Sequence, residues 1–231
     1  MKLSIIIPVY NEKETILLLL DKVDRVDIGV IQKEIIIVDD GSNDGTRDLL
    51  KTVENKYNVI YQKINSGKGF AIRTGLSQAT GDWVVIQDAD LEYDPNDLKK
   101  MLEKIQKADV SVVYGSRRLN RNYFNERHSG HIFALGGIFL TWLTNILFHT
   151  YITDESTCYK MFKTDLIKSL KLVCLKFEFC PEVTAKIIKK GIKIYEVQIN
   201  YYPRQKWEGK KINWIDGLSA IWTLIKYKFV S

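Results

Sequence analysis

Cysteine is scarce in this chain. Only Cys158, Cys174 and Cys180 occur, an odd number without CxxC spacing. That argues against a disulfide framework or a thiolate metal cluster and favours a reducing, cytoplasmic compartment. No GxGxxG follows the first apolar run, so the dinucleotide-binding fingerprint of a dehydrogenase is missing. Internal repeats, low-complexity tracts and a convincing interdomain linker are absent, as is any recognisable nucleic-acid reader motif. The N-terminus runs straight into LSIIIPVY, too short and too β-branched for a signal peptide.

What is present is unevenly distributed. The 231 residues suit one large domain or two small ones, with ample length for a core, and the net charge of +6 hides an asymmetry. Residues 1–115 carry 15 Lys/Arg against 19 Asp/Glu, and residues 116–231 carry 19 against 9. A basic half is either a solvated face or a surface for an anionic partner such as phosphate, nucleic acid or a membrane.

The first half alternates strand-like and helix-like runs. LSIIIPV, EIIIVDD, NVIYQKI, DWVVIQD and VSVVYGS read as strands. ETILLLLDKV, Thr46 to Val53, residues 68–79 and Asn96 to Lys107 read as helices. This order predicts an α/β fold with a mainly parallel central sheet flanked by helices. The C-terminal strand ends then share one edge, where open α/β sheets bind ligands. PVYNE, DDGSNDGT, DADLE and GSRR all fall on that rim. Any one of them is explained by helix caps such as Asn11, Ser42 and Asp44; four together point to a site.

The second half is less regular. Residues 131–148 are mostly apolar but interrupted by Gly136, Gly137, Thr141, Thr144 and Asn145, which favours a buried or interfacial helix over a spanning one. A helix is expected around Pro181–Lys190, and IKIYEVQINYY alternates like a strand. Ile212 to Phe229 has apolar residues near helical period, with Trp214, Trp222, Tyr227 and Phe229 beside Lys226 and Lys228. That segment is either a core-packing terminal helix or an amphipathic helix lying on a membrane.

The stretch QDADLEYDP carries the sharpest chemistry. Asp88 and Asp90 straddle one residue, so an extended chain puts both carboxylates on one side. Crowded carboxylates raise each other's pKa, and a divalent cation removes the conflict. Mg2+ and Mn2+ take such oxygen ligands and share them with substrate phosphates. Asp94 and Asp97 read as surface or cap residues around Pro95.

A DxD on the same rim as PVYNE and DDGSNDGT resembles the family 2 glycosyltransferases, which have the GT-A fold. GSRR, TDESTCYKMF, FEFCPE and YYPRQKWEGKKI extend the resemblance across nearly the whole chain. They point toward the polyprenyl-phosphate sugar transferase branch, which includes the dolichyl-phosphate mannose synthases. The resemblance implies a single catalytic domain over 1–231, with a nucleotide-sugar-binding half at 1–115 and an acceptor-binding half at 116–231 ending in the amphipathic helix. It implies donor contacts from Pro8, Tyr10, Glu12, Asp40, Lys68, Asp88 and Asp90. Asp88, Asp90 and Glu92 form the implied metal set, although Glu92 stands where the mannose synthases carry Gln. Arg117, Arg127, Arg204 and Lys210 are implied to grip the acceptor phosphate, the planar arginine fork suiting phosphate oxygens. Asp88, Asp90, Arg117 and Arg204 are the expected catalytic set. Arg118 and Lys211 read as surface cations. Asp154 and Glu182 either orient the arginines, line the sugar pocket or form structural ion pairs.

The implied activity is inverting, metal-dependent transfer of a hexose from a nucleotide-diphosphate sugar to a polyprenyl phosphate. The enzyme would sit peripherally on the cytoplasmic face of a membrane, directly or through a separate membrane subunit, with no nucleic-acid partner. The rivals are a glycosyltransferase with a non-lipid acceptor and a noncatalytic nucleotide-sugar-binding module.

Overall fold

The computed structural model describes residues 1–107, 109–119, 131–204, 211 and 214–230. A seven-stranded sheet lies at its centre, in the order β3-β2-β1-β4-β6-β5-β7. The strands are β1 (Lys2–Val9), β2 (Gln32–Asp39), β3 (Asn58–Tyr61), β4 (Trp83–Ile86), β5 (Val112–Ser116), β6 (Lys160–Lys163) and β7 (Tyr195–Gln198). β1 pairs in parallel with β2 and β4, β2 with β3, and β5 with β7. β6 pairs antiparallel with both β4 and β5, so it runs against the other six.

The apolar runs are continuous because both faces of the sheet are covered. Leu3, Ile5, Ile7 and Val9 point into a core shared with α1 (Ile16–Arg25) and α4 (Leu98–Ile105). Ile6 points the other way, into a core shared with α3 (Lys68–Gln78) and α7 (Phe179–Lys189). That is the two-residue period of a strand, sorting one sequence into two layers. Two short helices, α2 (Thr46–Lys51) and α6 (Thr164–Ser169), complete the flanks.

The segment read from its apolarity at 131–148 is a helix, α5 (His131–Phe148), and the tail forms α8 (Trp214–Phe229). The core-packing alternative holds for one face of α8, and the other face is exposed. Ala220, Thr223, Leu224 and Tyr227 are buried, whereas Trp214, Ile215, Leu218, Trp222, Ile225 and Phe229 are exposed. α5 turns its small and polar residues inward: Gly137, Thr141 and Thr144 are buried, the two hydroxyls donating to the Gly137 and Leu140 carbonyls. Its exposed side carries Leu135, Ile138, Phe139, Trp142 and Ile146. Among the described residues no helix is long and apolar enough to cross a membrane.

Because six strands share one direction, their C-terminal ends share one edge. Tyr10 follows β1, Asp40 follows β2, Asp88 follows β4, Arg117 follows β5, and Tyr201 and Arg204 follow β7. The reversed β6 brings residues 154–158, which precede it, to the same edge.

Candidate functional site

At this edge lies a cavity of about 640 Å³, lined by residues from both halves of the chain, within the usual ~300–1,000 Å³ of small-ligand sites. It gathers Pro8, Tyr10, Glu12, Asp40, Lys68, Asp88, Asp90, Glu92, Arg117 and Arg204, all expected from the sequence. Arg127 and Lys210 lie outside the described residues.

Acids and cations are paired across the cavity. Lys68 Nζ sits 2.6 Å from Asp88 Oδ1, and Arg204 reaches Glu12 at 3.0 Å and Asp90 at 3.2 Å. Burial alone would lower the Lys68 ammonium, but Asp88 overrides it and raises its pKa well above the lysine range. Asp90 is pushed up to about 8 by burial and by the nearby Asp88 and Glu92 charges, against the pull of Arg204. Lys211, expected as a surface cation, instead contacts Glu12 at 2.7 Å and donates to the Tyr10 carbonyl.

In this structure the Glu92 carboxylate is engaged by protein donors. Its Oε2 accepts from Tyr201 Oη at 2.7 Å and its Oε1 from the Arg204 amide at 2.8 Å. Among the described residues no three Asp, Glu, His or Cys side chains are gathered to hold an ion. Leu91 adopts φ 62°, which turns the chain between Asp90 and Glu92. The same stretch builds the bed for Arg204. Tyr93 bridges to Tyr201, the Tyr202 amide donates to the Glu92 carbonyl, and the Asn200 amide donates to Asp97 Oδ2 at 2.6 Å. Asp97, read as a surface or cap residue, is therefore a buried strut.

Asp40 shapes the loop opposite. Its oxygens accept from the amides of Ser66 (2.8 Å) and Gly67 (2.7 Å), and burial raises its pKa despite them. Gly67 is required here: it has φ 101°, and a Cβ would strike the Leu175 carbonyl and Lys176. Lys68 begins α3 directly after it.

The arginine wall is held from below. Arg117 forks onto Asp154 through Nε (2.7 Å) and Nη2 (2.8 Å), reaches Ser156 Oγ at 3.1 Å and lies 4.9 Å over the Tyr201 ring. Burial alone would raise the Asp154 carboxyl, but Arg117 and Arg118 hold it at about 2. Of the readings for Asp154, orienting the arginines and forming a buried ion pair both describe this geometry. Glu182 instead ties the Val173 and Cys174 amides to Lys186 and Tyr227, away from the cavity lining. Arg118, also read as a surface cation, lines the cavity and approaches Asp154 at 3.4 Å and Thr141 at 3.3 Å. Gly137 makes room for it, since a Cβ there would meet the Arg118 guanidinium and Ser156 Oγ.

Beside this wall, Glu155 is fully buried and neither carboxyl oxygen has a hydrogen-bond partner. Lys160, also fully buried, donates to the Glu155 and Thr157 carbonyls instead. Burial raises Glu155 from the ordinary 4.5 to about 7. The folded state therefore holds a proton that the unfolded chain has released, and stability falls as pH rises from about 4.5 to about 7. The full effect is at most ~3 kcal/mol. Glu155→Gln removes this titration, so its Tm relative to wild type rises by several degrees between pH 5 and pH 8 in thermal melts.

The sequence profile of glycosyl transferase family 2 matches residues 4–170. The dolichol-phosphate mannosyltransferase of Pyrococcus furiosus is 28% identical, over 91% of this chain and 59% of its own length. The dodecaprenyl-phosphate galacturonate synthase of Rhizobium johnstonii is 23% identical, over 89% of this chain and 60% of its own length. This chain thus spans about three fifths of those two relatives. The undecaprenyl-phosphate mannosyltransferase of Micrococcus luteus is 28% identical over 96% of this chain and 92% of its own length. Among solved structures, glucosyl-3-phosphoglycerate synthase from Mycobacterium tuberculosis, in complex with UDP, superposes with a TM-score of 0.75 at 17% identity, covering 100% of this chain and 81% of its own. The mannosyltransferase from Pyrobaculum calidifontis, in complex with GDP-Man and Mn2+, gives 0.62 at 22%, covering 85% and 54%. These structural likenesses concern the fold, which is the GT-A architecture.

Proposed function

This chain belongs to glycosyl transferase family 2, and from that premise we propose that it transfers a hexose from a nucleotide-diphosphate sugar to a polyprenyl phosphate. One observation carries the choice of acceptor. The cavity that holds Arg117, Arg118 and Arg204 is continuous with apolar residues of α5 and α8, including Phe139, Leu140, Trp214 and Leu218. Cations for a phosphate and an adjoining apolar wall for a hydrocarbon chain suit a prenyl phosphate better than a free sugar.

Asp88 and Asp90 would hold Mg2+ or Mn2+. The fit rests on their chemistry: two mutually repelling carboxylates, Asp88 buried and Asp90 half-buried, neutralised in this structure by Lys68 and Arg204, offer the hard oxygens such ions take. When bound, the ion would supply charge neutralisation to the departing diphosphate. Lys68 faces the same diphosphate, and Pro8, Tyr10, Glu12 and Asp40 frame the nucleoside side. Arg117, fixed by Asp154, and Arg204 position the acceptor phosphate. That phosphate is an anion at neutral pH, its second pKa near ~6 by analogy with phosphoamino acids, so no strong general base is needed. In-line attack by its oxygen inverts the anomeric centre.

The whole chain serves as one catalytic domain in this reading. Its support is that β6 and β7 from the second half complete the sheet of the first. The exposed apolar faces of α5 and α8, with Lys226 and Lys228 in the last turn of α8, suit peripheral contact with a membrane. The three free cysteines fit its cytoplasmic face.

The test incubates the protein with radiolabelled GDP-mannose or UDP-glucose, Mn2+ and extracted polyprenyl phosphate, then partitions the products. Label moving into the organic phase is the expected result. Label released wholly into water would favour a non-lipid acceptor. Asp88→Asn is expected to cut transfer roughly 10²–10³-fold, the scale of losing one preorganised electrostatic group, with the fold retained by circular dichroism.

A further inference from the structure

The functional reading leaves Cys158 unused, although it lines the cavity. Its Sγ lies 3.8 Å from Cys180 Sγ, and the two are not bonded. They come from different elements. Cys158 sits in the segment leading into β6, and Cys180 is the second residue of α7. Disulfide sulfurs lie ~2.05 Å apart, so closing this pair requires a sulfur displacement of under about 2 Å.

The surroundings of the pair are chemically suggestive. Lys68 Nζ donates to Cys158 Sγ at 3.0 Å and contacts Asp88 at 2.6 Å. The Cys180 contact, burial and Asp88 push the Cys158 thiol up against the pull of this ammonium, and the same contact pushes Cys180 down; what distinguishes Cys158 is its place on the cavity wall. Cys180 is buried and donates to the Thr157 carbonyl at 3.3 Å, next to Cys158 in the chain. One sulfur therefore faces the cavity beside a cation, and a second waits behind it. The remaining thiol, Cys174, is buried and packs against Gly69, outside the cavity lining.

We propose that Cys158 and Cys180 are an oxidative modification site in the cavity wall, closed to a disulfide by a peroxide, and that closure weakens nucleotide-sugar binding through Lys68. The second clause rests on the functional reading above. The chemistry balances. The Cys158 thiol, which faces the cavity, gives up its proton as its sulfur attacks one peroxide oxygen; the O–O bond breaks, and sulfenic acid and water form. The Cys180 thiol then displaces the sulfenic hydroxyl, the S–S bond forms and water leaves. Two thiols and one hydrogen peroxide give one disulfide and two waters, the sulfurs having lost two electrons to the peroxide. A disulfide sulfur carries no negative charge and is a poor acceptor. Lys68 then loses one of its two partners, and the wall it forms with Asp88 rearranges.

The experiment uses the full chain, reduced, desalted and titrated with hydrogen peroxide. Intact mass and thiol counting are read first, then peptide mapping without reduction. The expected result is a loss of about 2 Da, a fall from three free thiols to one, a linked 158–180 peptide and full reversal by dithiothreitol. Cys180→Ser should stop at a Cys158 sulfenic acid captured by dimedone. The affinity of a nucleotide sugar with Mn2+ is then compared for the reduced and oxidised protein, with a roughly tenfold weakening expected for the loss of one charged hydrogen bond. Three surviving thiols, or a disulfide made by Cys174, would overturn the site. A 158–180 disulfide with unchanged affinity would overturn its coupling to Lys68. If neither form binds any nucleotide sugar, the donor-site reading falls, while the mass and thiol count still judge the pair.

Discussion

Arg117→Ala is expected to lower Tm by on the order of 10 °C, because it strands a buried charge. Asp154 is fully buried and receives three hydrogen bonds from Arg117, one from the amide and two from the guanidinium. The alanine keeps only the amide. Breaking a buried pair from one side costs ~3–5 kcal/mol, and in a domain of this size each kcal/mol shifts Tm by about 2–4 °C. Arg118, at 3.4 Å from Asp154, compensates in part. Two controls sharpen the expectation. Arg117→Ala combined with Asp154→Ala should be less destabilised than Arg117→Ala alone, since no orphaned carboxylate remains. The pH dependence should also collapse. Asp154 has a folded pKa of about 2 against an ordinary 3.8. The stability it contributes is therefore present above about 3.8 and lost as pH falls through about 2. In Arg117→Ala that contribution is already gone, so the gap to wild type narrows in melts near pH 2. Arg117→Lys keeps the charge but not the fork, so it should recover more stability than transfer activity.

How far the sequence exposes this site depends on the range of the interactions involved. The strand ends are legible, because a run such as SIIIPV is apolar on both faces only in a covered parallel sheet. That pattern alone puts Tyr10, Asp40, Asp88 and Arg117 on one rim. β6 and α6 are not legible. Four residues with Lys160 at their head carry no period, and Lys160 is buried only because the Glu155 and Thr157 carbonyls and the Tyr114 ring receive it. Arg118 and Lys211 read as surface cations because their partners are distant in sequence: Thr141 and Asp154 for one, Tyr10 and Glu12 for the other. Glu92 reads as a metal ligand, and in this structure its carboxylate accepts from Tyr201 and the Arg204 amide instead of standing free. A DxDxE spacing in an extended chain aligns all three acids, but Leu91 turns left-handed and swings Glu92 to Tyr201. Nothing in the side chain of leucine announces that turn.

The same distance dependence explains why the site carries cations among its acids. Glu12, Asp90 and Glu92 come from the acidic half and are drawn together by the sheet; Arg204, from the basic half, lies among them at 3.0, 3.2 and 3.8 Å. In this structure the guanidinium does for the carboxylates what a bound ion would otherwise do. The two halves of the charge asymmetry thus meet at one residue, and in the proposed reaction a divalent ion entering with a diphosphate would compete with that residue for Asp90.

Arg204→Ala turns that competition into a measurement. Without the guanidinium, Asp90 has lost the stronger of the cations opposing its raised pKa, and Glu12 keeps Lys211 and the Thr15 hydroxyl. In chelator the variant is expected to melt lower than wild type, by a one-sided break worth ~3–5 kcal/mol if the cluster stayed rigid, less any relief from Asp90 taking up a proton. Mn2+ should restore part of that loss and stabilise the variant more than wild type, because in wild type the ion must first displace Arg204. The uptake of Mn2+ should also strengthen as pH rises through the Asp90 pKa, which lies near 8 before substitution. Transfer should remain low even in saturating Mn2+, since the ion replaces the charge among the acids but not the fork that grips phosphate. Equal Mn2+ shifts for the two proteins in differential scanning fluorimetry would show that Arg204 does not stand in for the ion.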